Sequence, residues 1–167
     1  LVTLAVLEPV TGVDTADAIA GFASPATVTI IAMYILSAGI QGTGIVDRLG
    51  VYLGRVTGGS ETRLLAATVG TTSVAAGIVN NTPVVAVFIP MITGLAERAG
   101  ISPSKLLLPL SYAAMLGGTL TLVGTSMNIL ASDLFASLEG TAEGFSMFEF
   151  TQLGIVVTIV GAGYLLT

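Results

Sequence analysis

The sequence contains no cysteine and no histidine, and only 9% of its residues are charged. The chain therefore has no disulfide, no thiol nucleophile and no imidazole base, and it lacks the commonest transition-metal ligands. A soluble domain carries about 25% charged residues. Apolar residues make up 53% of this sequence, and its mean hydropathy is +0.97. This composition predicts a membrane protein.

The apolar runs also lack acids and bases, so they contain no evident general acid, general base or activated nucleophile. The glycine-rich stretches match neither a P-loop nor a dinucleotide-binding fingerprint. We therefore predict that the chain is not an enzyme and needs no cofactor apart from a coupling ion. Nucleic acid is not expected as a partner.

Apolar runs divide the chain into predicted membrane elements. They are the cut end of a helix at 1–7, a transmembrane helix at 26–46, an amphipathic helix at 44–57, a re-entrant hairpin at 64–96 with its tip at 80–83, a broken transmembrane helix at 105–134 and a cut transmembrane helix at 150–167. The helix at 44–57 is predicted to lie in the membrane interface, with a soluble-type helix at the base of a bundle as the alternative. Because the chain begins without Met and ends inside an apolar run, we expect a piece of a larger multi-pass protein of the cell membrane, most simply a prokaryotic plasma membrane.

A polar knot, Asn80-Asn81-Thr82-Pro83, interrupts the apolar run Leu64–Ala96. Two amides in lipid need protein or ion partners, because no water is present to satisfy them. Asn tolerates left-handed backbone, and the residue before a proline is disfavoured in a helix. The knot is therefore predicted to be the tip of a hairpin that presents polar groups to a transported ion or solute.

The positions of the basic residues place both flanks of this run on one side of the membrane. They all lie in the two segments beside it: Arg48, Arg55, Arg63, Arg98 and Lys105. By the positive-inside rule, both flanks are cytoplasmic. The run has about 16 residues before Asn80 and about 14 after Thr82, too short for either arm to cross about 30 Å of hydrocarbon comfortably. We predict a re-entrant hairpin; two crossings by unusually short helices, or one long tilted helix, are the alternatives.

A second polar interruption is predicted at Gly124-Thr125-Ser126-Met127-Asn128, inside the apolar run that follows Lys105. Gly and Thr also occur in transmembrane helices simply for close packing. A broken helix, however, frees backbone groups that must be satisfied by protein, a cavity or an ion. Neutral oxygens suit a hard cation such as sodium, and helix N-termini suit an anionic group. Two such interruptions are typical of a secondary transporter.

These residues resemble a known family. Asn80-Asn81-Thr82-Pro83, the stretch Ser-Tyr-Ala-Ala-Met-Leu-Gly-Gly-Thr-Leu-Thr-Leu-Val-Gly at 111–124, and Thr125-Ser126-Met127-Asn128 are similar to the divalent-anion/sodium symporter family of the ion-transporter superfamily. The similarity is greatest to its prokaryotic permeases that often carry cytosolic TrkA-C-type domains. It runs through most of the chain, including Ile101-Ser102-Pro103.

The resemblance implies roles for individual residues. Asn81 and Thr82 match the last two residues of a Ser-Asn-Thr signature at the hairpin tip and would bind substrate, whereas Asn80 replaces its serine. Gly124 and Asn128 match the ends of a helix break that contributes to a sodium site. The implied cation-binding residues are Asn80, Asn81, Gly124, Thr125 and Asn128. A hydroxyl ligand from the turn before the tip is missing, because Ala76 and Gly77 stand there.

The resemblance also implies an all-α, polytopic transmembrane helical bundle that forms the first half of an inverted repeat. The expected function is cation-coupled symport, with sodium as the coupling ion, of a small divalent or carboxylate anion by alternating access. The expected partners are a small anionic solute, membrane lipid, the missing second repeat and a second copy in a homodimer. A proton- or metalloid-anion exchanger of the same superfamily, and a structural membrane domain supporting a soluble sensor, are the alternative functions.

Overall fold

The computed structural model describes residues 14, 16, 20–139 and 144–167. In this part of the chain the regular structure is helical, which confirms the predicted all-α class there. A 3₁₀ turn at Gly21–Ala23 precedes seven α-helices: α1 (Pro25–Gly42), α2 (Ile45–Thr57), α3 (Glu61–Ile78), α4 (Asn81–Ala99), α5 (Ser104–Gly118), α6 (Ser126–Glu139) and α7 (Thr151–Leu165). The predicted helix end at 1–7 lies outside the described residues.

The core lies where α3, α4 and α5 pack against one another. Its buried side chains are almost all aliphatic, and Phe88 is the aromatic member. They are Leu64, Ala76, Val84, Phe88, Ile92, Ala96, Leu106, Leu110 and Ala114. This set comes from both sides of the polar knot, so helices α3 and α4 share one core.

Glycine sets the distance between α3 and α5. A Cβ atom added to Gly117 would overlap the backbone carbonyl of Ser73, so the two helices touch backbone to backbone at this point. The Ser73 hydroxyl also donates a hydrogen bond to the carbonyl of Ala113 at 3.1 Å. Close approach of this kind is typical of helices that pack through small residues in membranes.

The outer helices expose many large apolar side chains. Ile35 on α1 is 69% exposed, and Val160 and Tyr164 on α7 are 69% and 80% exposed. Among the described helices, α4 is long and apolar enough to be a candidate membrane span. Residues Pro25–Leu36 of α1 and all of α7 are apolar but shorter. These faces suit contact with lipid or with further helices.

Several helix bounds differ from those predicted. The segment predicted as one span at 26–46 ends at Gly42, because Gly44 adopts a left-handed conformation with φ of 68° before α2 begins. Helices α3 and α4 have 18 and 19 residues, so the predicted arm lengths are too short. The helices continue past the uncharged run and include Glu61 at one end and Arg98 at the other. Helix length alone therefore no longer argues for a re-entrant hairpin.

Replacing Thr72 with valine is expected to raise the free energy of unfolding by about 1 kcal/mol, because valine removes a buried hydroxyl that lacks a hydrogen-bond partner. Thr68 and Thr72 are both fully buried on α3, and neither hydroxyl has a partner among the described residues. Thr71→Val is the matched control, since the Thr71 hydroxyl donates to the carbonyl of Ala67 at 2.6 Å. Thermal unfolding in detergent measures both variants. A destabilised Thr72→Val protein would show that the hydroxyl does have a partner.

Candidate functional site

The interruption between α3 and α4 is shorter than the predicted tip at 80–83. Helix α4 begins at Asn81, so Asn81, Thr82 and Pro83 form its first turn and only Asn80 of the tip lies outside a helix. Proline is accepted there because the N–H groups of a first turn have no partner within the helix. The polar knot therefore forms the start of a helix rather than an extended loop.

Asn80 has an unusual backbone conformation, with φ of 73° and ψ of 138°. Among the described residues it is the one non-glycine with positive φ. Its side chain is 2% exposed, and its Oδ1 accepts a hydrogen bond from the backbone N–H of Thr82 at 3.2 Å. Asn80 therefore caps the N-terminus of α4.

The two predicted interruptions meet in space. The backbone N–H of Asn81 donates to the carbonyl of Gly124 at 3.0 Å, which joins the start of α4 to the break between α5 and α6. The Asn80 Nδ2 atom lies 3.5 Å from Ser126 Oγ, at the start of α6. Residues about 45 positions apart in the sequence thus build one polar centre.

Side-chain hydrogen bonds hold the second break in place. The Thr121 hydroxyl donates to the carbonyl of Gly77 at 2.6 Å and accepts from the N–H of Gly124 at 3.1 Å. Asn128 Nδ2 donates to the carbonyls of Gly118 and Thr121 at 3.1 and 3.0 Å. Several backbone groups freed by the break are therefore satisfied by protein, as burial in an apolar environment requires.

Glycine is required at position 124 by close backbone contact. A Cβ atom on Gly124 would lie 2.6 Å from the carbonyl oxygen of Gly118, which is closer than real Cβ contacts allow. The two residues lie on either side of the break, at the end of α5 and just before α6. Gly124 thus lets the chain turn back tightly and bring its own carbonyl to Asn81.

Four helix ends surround this centre. Helices α3 and α5 end beside it, as the contacts of Gly77 and Gly118 show, and helices α4 and α6 begin beside it. Helix C-termini carry partial negative charge and favour cations, whereas helix N-termini carry partial positive charge and favour anions. The residues that bond to one another here are all uncharged, so backbone dipoles and neutral side chains set the local field.

Of the predicted site residues, the structure brings Asn80, Asn81 and Gly124 together, and Asn128 is linked to Gly124 through Thr121. Thr82 occupies the first turn of α4, where its hydroxyl donates to Asn81 Oδ1 at 3.3 Å. Thr125 precedes α6, and its carbonyl accepts from the N–H of Asn128 at 3.2 Å. Binding of substrate or cation by any of these residues remains a prediction.

The sequence did not identify the residues whose hydrogen bonds hold the centre together. Thr121 bridges the two breaks, and Ser126 contacts Asn80. The Thr151 hydroxyl on α7 donates to the carbonyl of Leu120 at 2.6 Å, so a third segment also supports the break. Thr121 and Ser126 belong to the glycine- and hydroxyl-rich stretch that signalled the break, whereas nothing in the sequence distinguished Thr151.

The centre is composed of hydroxyl, amide and peptide groups. The described part of the chain has no group of three or more acidic, histidine or cysteine side chains that could hold a metal ion. A cation here would therefore be coordinated by neutral oxygens, which suits sodium better than a transition metal. Two uncharged helix breaks that meet inside an apolar, helical chain are an arrangement found in membrane transport proteins.

Comparison with known proteins gives the same class. The whole chain, residues 1–167, matches the family model described as citrate transporter. An uncharacterized transporter of Synechocystis sp. is 47% identical over 98% of this chain and 27% of its own length. An uncharacterized transporter of Escherichia coli K12 is 35% identical over 90% of the chain and 24% of its own length. A probable sodium/sulfate cotransporter of Chlamydomonas reinhardtii is 34% identical over 89% of the chain and 17% of its own length.

The chain belongs to the citrate transporter family, within the ion-transporter superfamily. The resemblance inferred from the polar knot and the second break is confirmed, as is the prediction that the chain is not an enzyme. The chain spans about a quarter or less of the length of these relatives. No solved structure matches it.

Proposed function

We propose that this chain forms half of the substrate- and cation-binding centre of a secondary transporter that carries a small divalent or carboxylate anion by symport. The observation that carries this proposal is the meeting of four helix ends around Asn80 and Gly124. An anion gains from the N-termini of α4 and α6, and a cation gains from the C-termini of α3 and α5. One centre can therefore hold both ions close together, which couples their binding.

For the cation we propose sodium, bound by oxygens of Asn80, Asn81, Gly124, Thr125 and Asn128. Asn128 supports this assignment. Its Nδ2 donates two hydrogen bonds, whereas its Oδ1 accepts none from the described residues. The amide nitrogen thus fastens the break and leaves the oxygen for a ligand. Sodium/sulfate cotransporters among the relatives support the choice of ion.

For the anion we propose that Asn81 and Thr82 supply the contacts. Their backbone N–H groups are already used, by the Gly124 carbonyl and by Asn80 Oδ1. The Asn81 side-chain amide and the Thr82 hydroxyl would therefore make the contacts, in the first turn of α4, where the helix dipole favours negative charge. Sulfate and citrate are the chemical classes suggested by the relatives and by the family description. In the full protein, a second repeat would complete the transport pathway, and a second copy of the protein would complete a dimer. Alternating access would expose the centre to each side of the membrane in turn.

For the membrane topology we propose that α3 and α4 enter and leave on the basic side of the protein. Leu64 near the start of α3 and Ala99 at the end of α4 line one cavity, so the chain folds back at Asn80. The basic residues lie near these two ends or on the segments next to them. The positive-inside rule would place that side in the cytoplasm.

Replacing Asn81 with alanine is expected to lower sodium-dependent anion uptake by at least about 10-fold, the value of one hydrogen bond to a charged ligand. The measurement is uptake of labelled sulfate and citrate into proteoliposomes that contain the full-length protein, with and without a sodium gradient. Gln152→Ala is the matched control, because Gln152 is an exposed amide at the start of α7.

Undiminished uptake by the Asn81→Ala protein would rule out the proposed role of the α4 N-terminus. Uptake that follows a proton gradient and ignores sodium would instead identify an exchanger of the same superfamily. A purely structural membrane domain would be favoured if the wild-type protein took up neither anion and if cysteines introduced at the centre could not be reached by thiol reagents from either side.

A further inference from the structure

A second candidate site lies between α2 and the C-terminal half of α4. A cavity of about 700 Å³ opens there, with Gly54 and Arg55 on α2 and Met91, Gly94, Leu95 and Arg98 on α4 among its lining residues. Gly94 is 13 residues beyond the start of α4, or about 20 Å along the helix axis. The cavity is therefore separate from the centre around Asn80.

Two arginines give this cavity a positive charge. Arg55 and Arg98 both line it and are both exposed. Neither forms an ion pair with a described residue. The ion pair found among the described residues joins Lys105 to Glu61 at 2.7 Å. Among the side chains that the structure describes, no acidic one lines the cavity. Two unpaired guanidinium groups that line the same cavity favour a phosphate group, since an arginine can bind a phosphate with two hydrogen bonds.

The rest of the cavity is apolar. Val87, Pro90, Met91 and Leu95 contribute aliphatic surface, and a Cβ atom on Gly94 would meet nothing within 4 Å. The surface of α4 thus has an open groove below the arginines. A free phosphate ion would leave this apolar surface in contact with water, whereas an acyl chain would cover it.

The helix beside the cavity has the character of an interfacial helix. Val51, Tyr52 and Val56 on α2 are 56%, 63% and 58% exposed, although all three side chains are large and apolar. Basic and apolar side chains together on an exposed helix are typical of a segment that lies at the level of lipid headgroups. A helix in that position would place the opening of the cavity at the height where lipid phosphates occur.

We propose that this cavity binds one anionic phospholipid, with its phosphate between Arg55 and Arg98 and one acyl chain in the groove along α4. Charge selects the headgroup, since basic pockets between membrane helices bind anionic lipid headgroups. The bound lipid contacts both α2 and α4. This site is independent of the transport centre and of the proposed function.

The test compares two lipids with the same acyl chains. The full-length protein in detergent is titrated with phosphatidylglycerol and with phosphatidylcholine, and the unfolding temperature and the number of bound lipids in native mass spectra are measured. Phosphatidylglycerol is expected to bind more tightly and to stabilise the protein more. Each arginine near a headgroup contributes about 5-fold in affinity, so Arg55→Gln with Arg98→Gln is expected to weaken phosphatidylglycerol binding by about 25-fold.

Arg63→Gln is the matched control, because Arg63 is exposed on the same basic side but does not line the cavity. If the double variant does not fold, the single variants carry the test, each with a loss of about 5-fold. Gly94→Leu tests the groove separately, since it fills the space for the acyl chain and keeps both arginines; it is expected to weaken binding as well.

Equal binding of the two lipids, or unchanged phosphatidylglycerol affinity in the double variant, would overturn the proposal. Full stabilisation by inorganic phosphate alone would identify a free-anion site and would also overturn it. A double variant that changes from dimer to monomer with unchanged lipid affinity would assign the cavity to a second copy of the protein instead.

Discussion

The Gly117→Ala protein is expected to lose at least about 3 kcal/mol of unfolding free energy and to be recovered poorly from membranes. The added Cβ atom would overlap the backbone carbonyl of Ser73, and backbone cannot move aside as a flexible side chain can. Relief of the overlap requires α3 and α5 to separate. Separation would also stretch the hydrogen bond from Ser73 to Ala113 and the one from Thr121 to Gly77.

Two other glycines make this experiment a graded series. Gly70→Ala is the control, because Gly70 is exposed on α3 and a Cβ atom there meets nothing within 4 Å. Alanine at that position is expected to stabilise the helix by up to about 1 kcal/mol. Gly118→Ala is expected to fall between the two, since its Cβ would lie 3.2 Å from the Gly124 carbonyl oxygen. Denaturant or thermal unfolding in detergent ranks the three, and equal stability of Gly117→Ala and Gly70→Ala would contradict the close approach of α3 and α5.

The two substitutions Asn80→Gly and Asn80→Ala are expected to separate protein stability from ion binding. Glycine adopts positive φ without strain, so Asn80→Gly loses the helix cap but gains a relaxed backbone and stays within about 0.5 kcal/mol of wild type. Alanine cannot cap the helix and is strained at a φ of 73°. Asn80→Ala is therefore expected to lower the free energy of unfolding by about 2–3 kcal/mol. Thermal unfolding of the purified proteins measures this difference.

Both variants lack the amide oxygen that is proposed to bind sodium. In each variant the apparent affinity for sodium, measured from sodium-dependent anion uptake, is expected to fall by at least about 10-fold. This is about the value of one polar contact to a charged group. The Asn80→Gly protein is the decisive one, because it is expected to be folded and yet impaired. Wild-type sodium affinity in that protein would limit Asn80 to capping α4. Gln152→Ala again controls for loss of an exposed amide.

Much of the helical architecture was predictable because apolar runs and charges mark helices in a membrane protein. The bounds of α2 and the interruption at Asn80 follow from residues that are themselves informative, namely Gly44 and the two adjacent asparagines. The ends of α3 and α4 were misjudged, because the predicted arms stopped at the first charged residue. Charged residues such as Glu61 and Arg98 continue these helices past the apolar run, in positions where their charges favour the helix ends.

The site was predictable as a set of residue types but not as a geometry. Asn80 and Gly124 could each be recognised as helix breakers, and the resemblance to a family associated them. Their contact through the N–H of Asn81 depends on how closely α3 and α5 approach, which a sequence does not encode locally. Thr121 shows the same limit: its residue type is ordinary, and its importance comes from the Gly77 carbonyl 2.6 Å away.

The polar centre contains amides, hydroxyls and peptide groups, none of which gains or loses a proton between mildly acidic and mildly alkaline conditions. Helix dipoles do not change with pH either. The ligand binding proposed for the residues described around Asn80 and Gly124 would therefore keep the same strength across that range. A sulfate ion also keeps one charge state there, while a tricarboxylate does not. For the proposed sodium-coupled symport, a pH profile of uptake would therefore report the ionisation of the anion, and a flat profile would distinguish an inorganic anion from an organic acid.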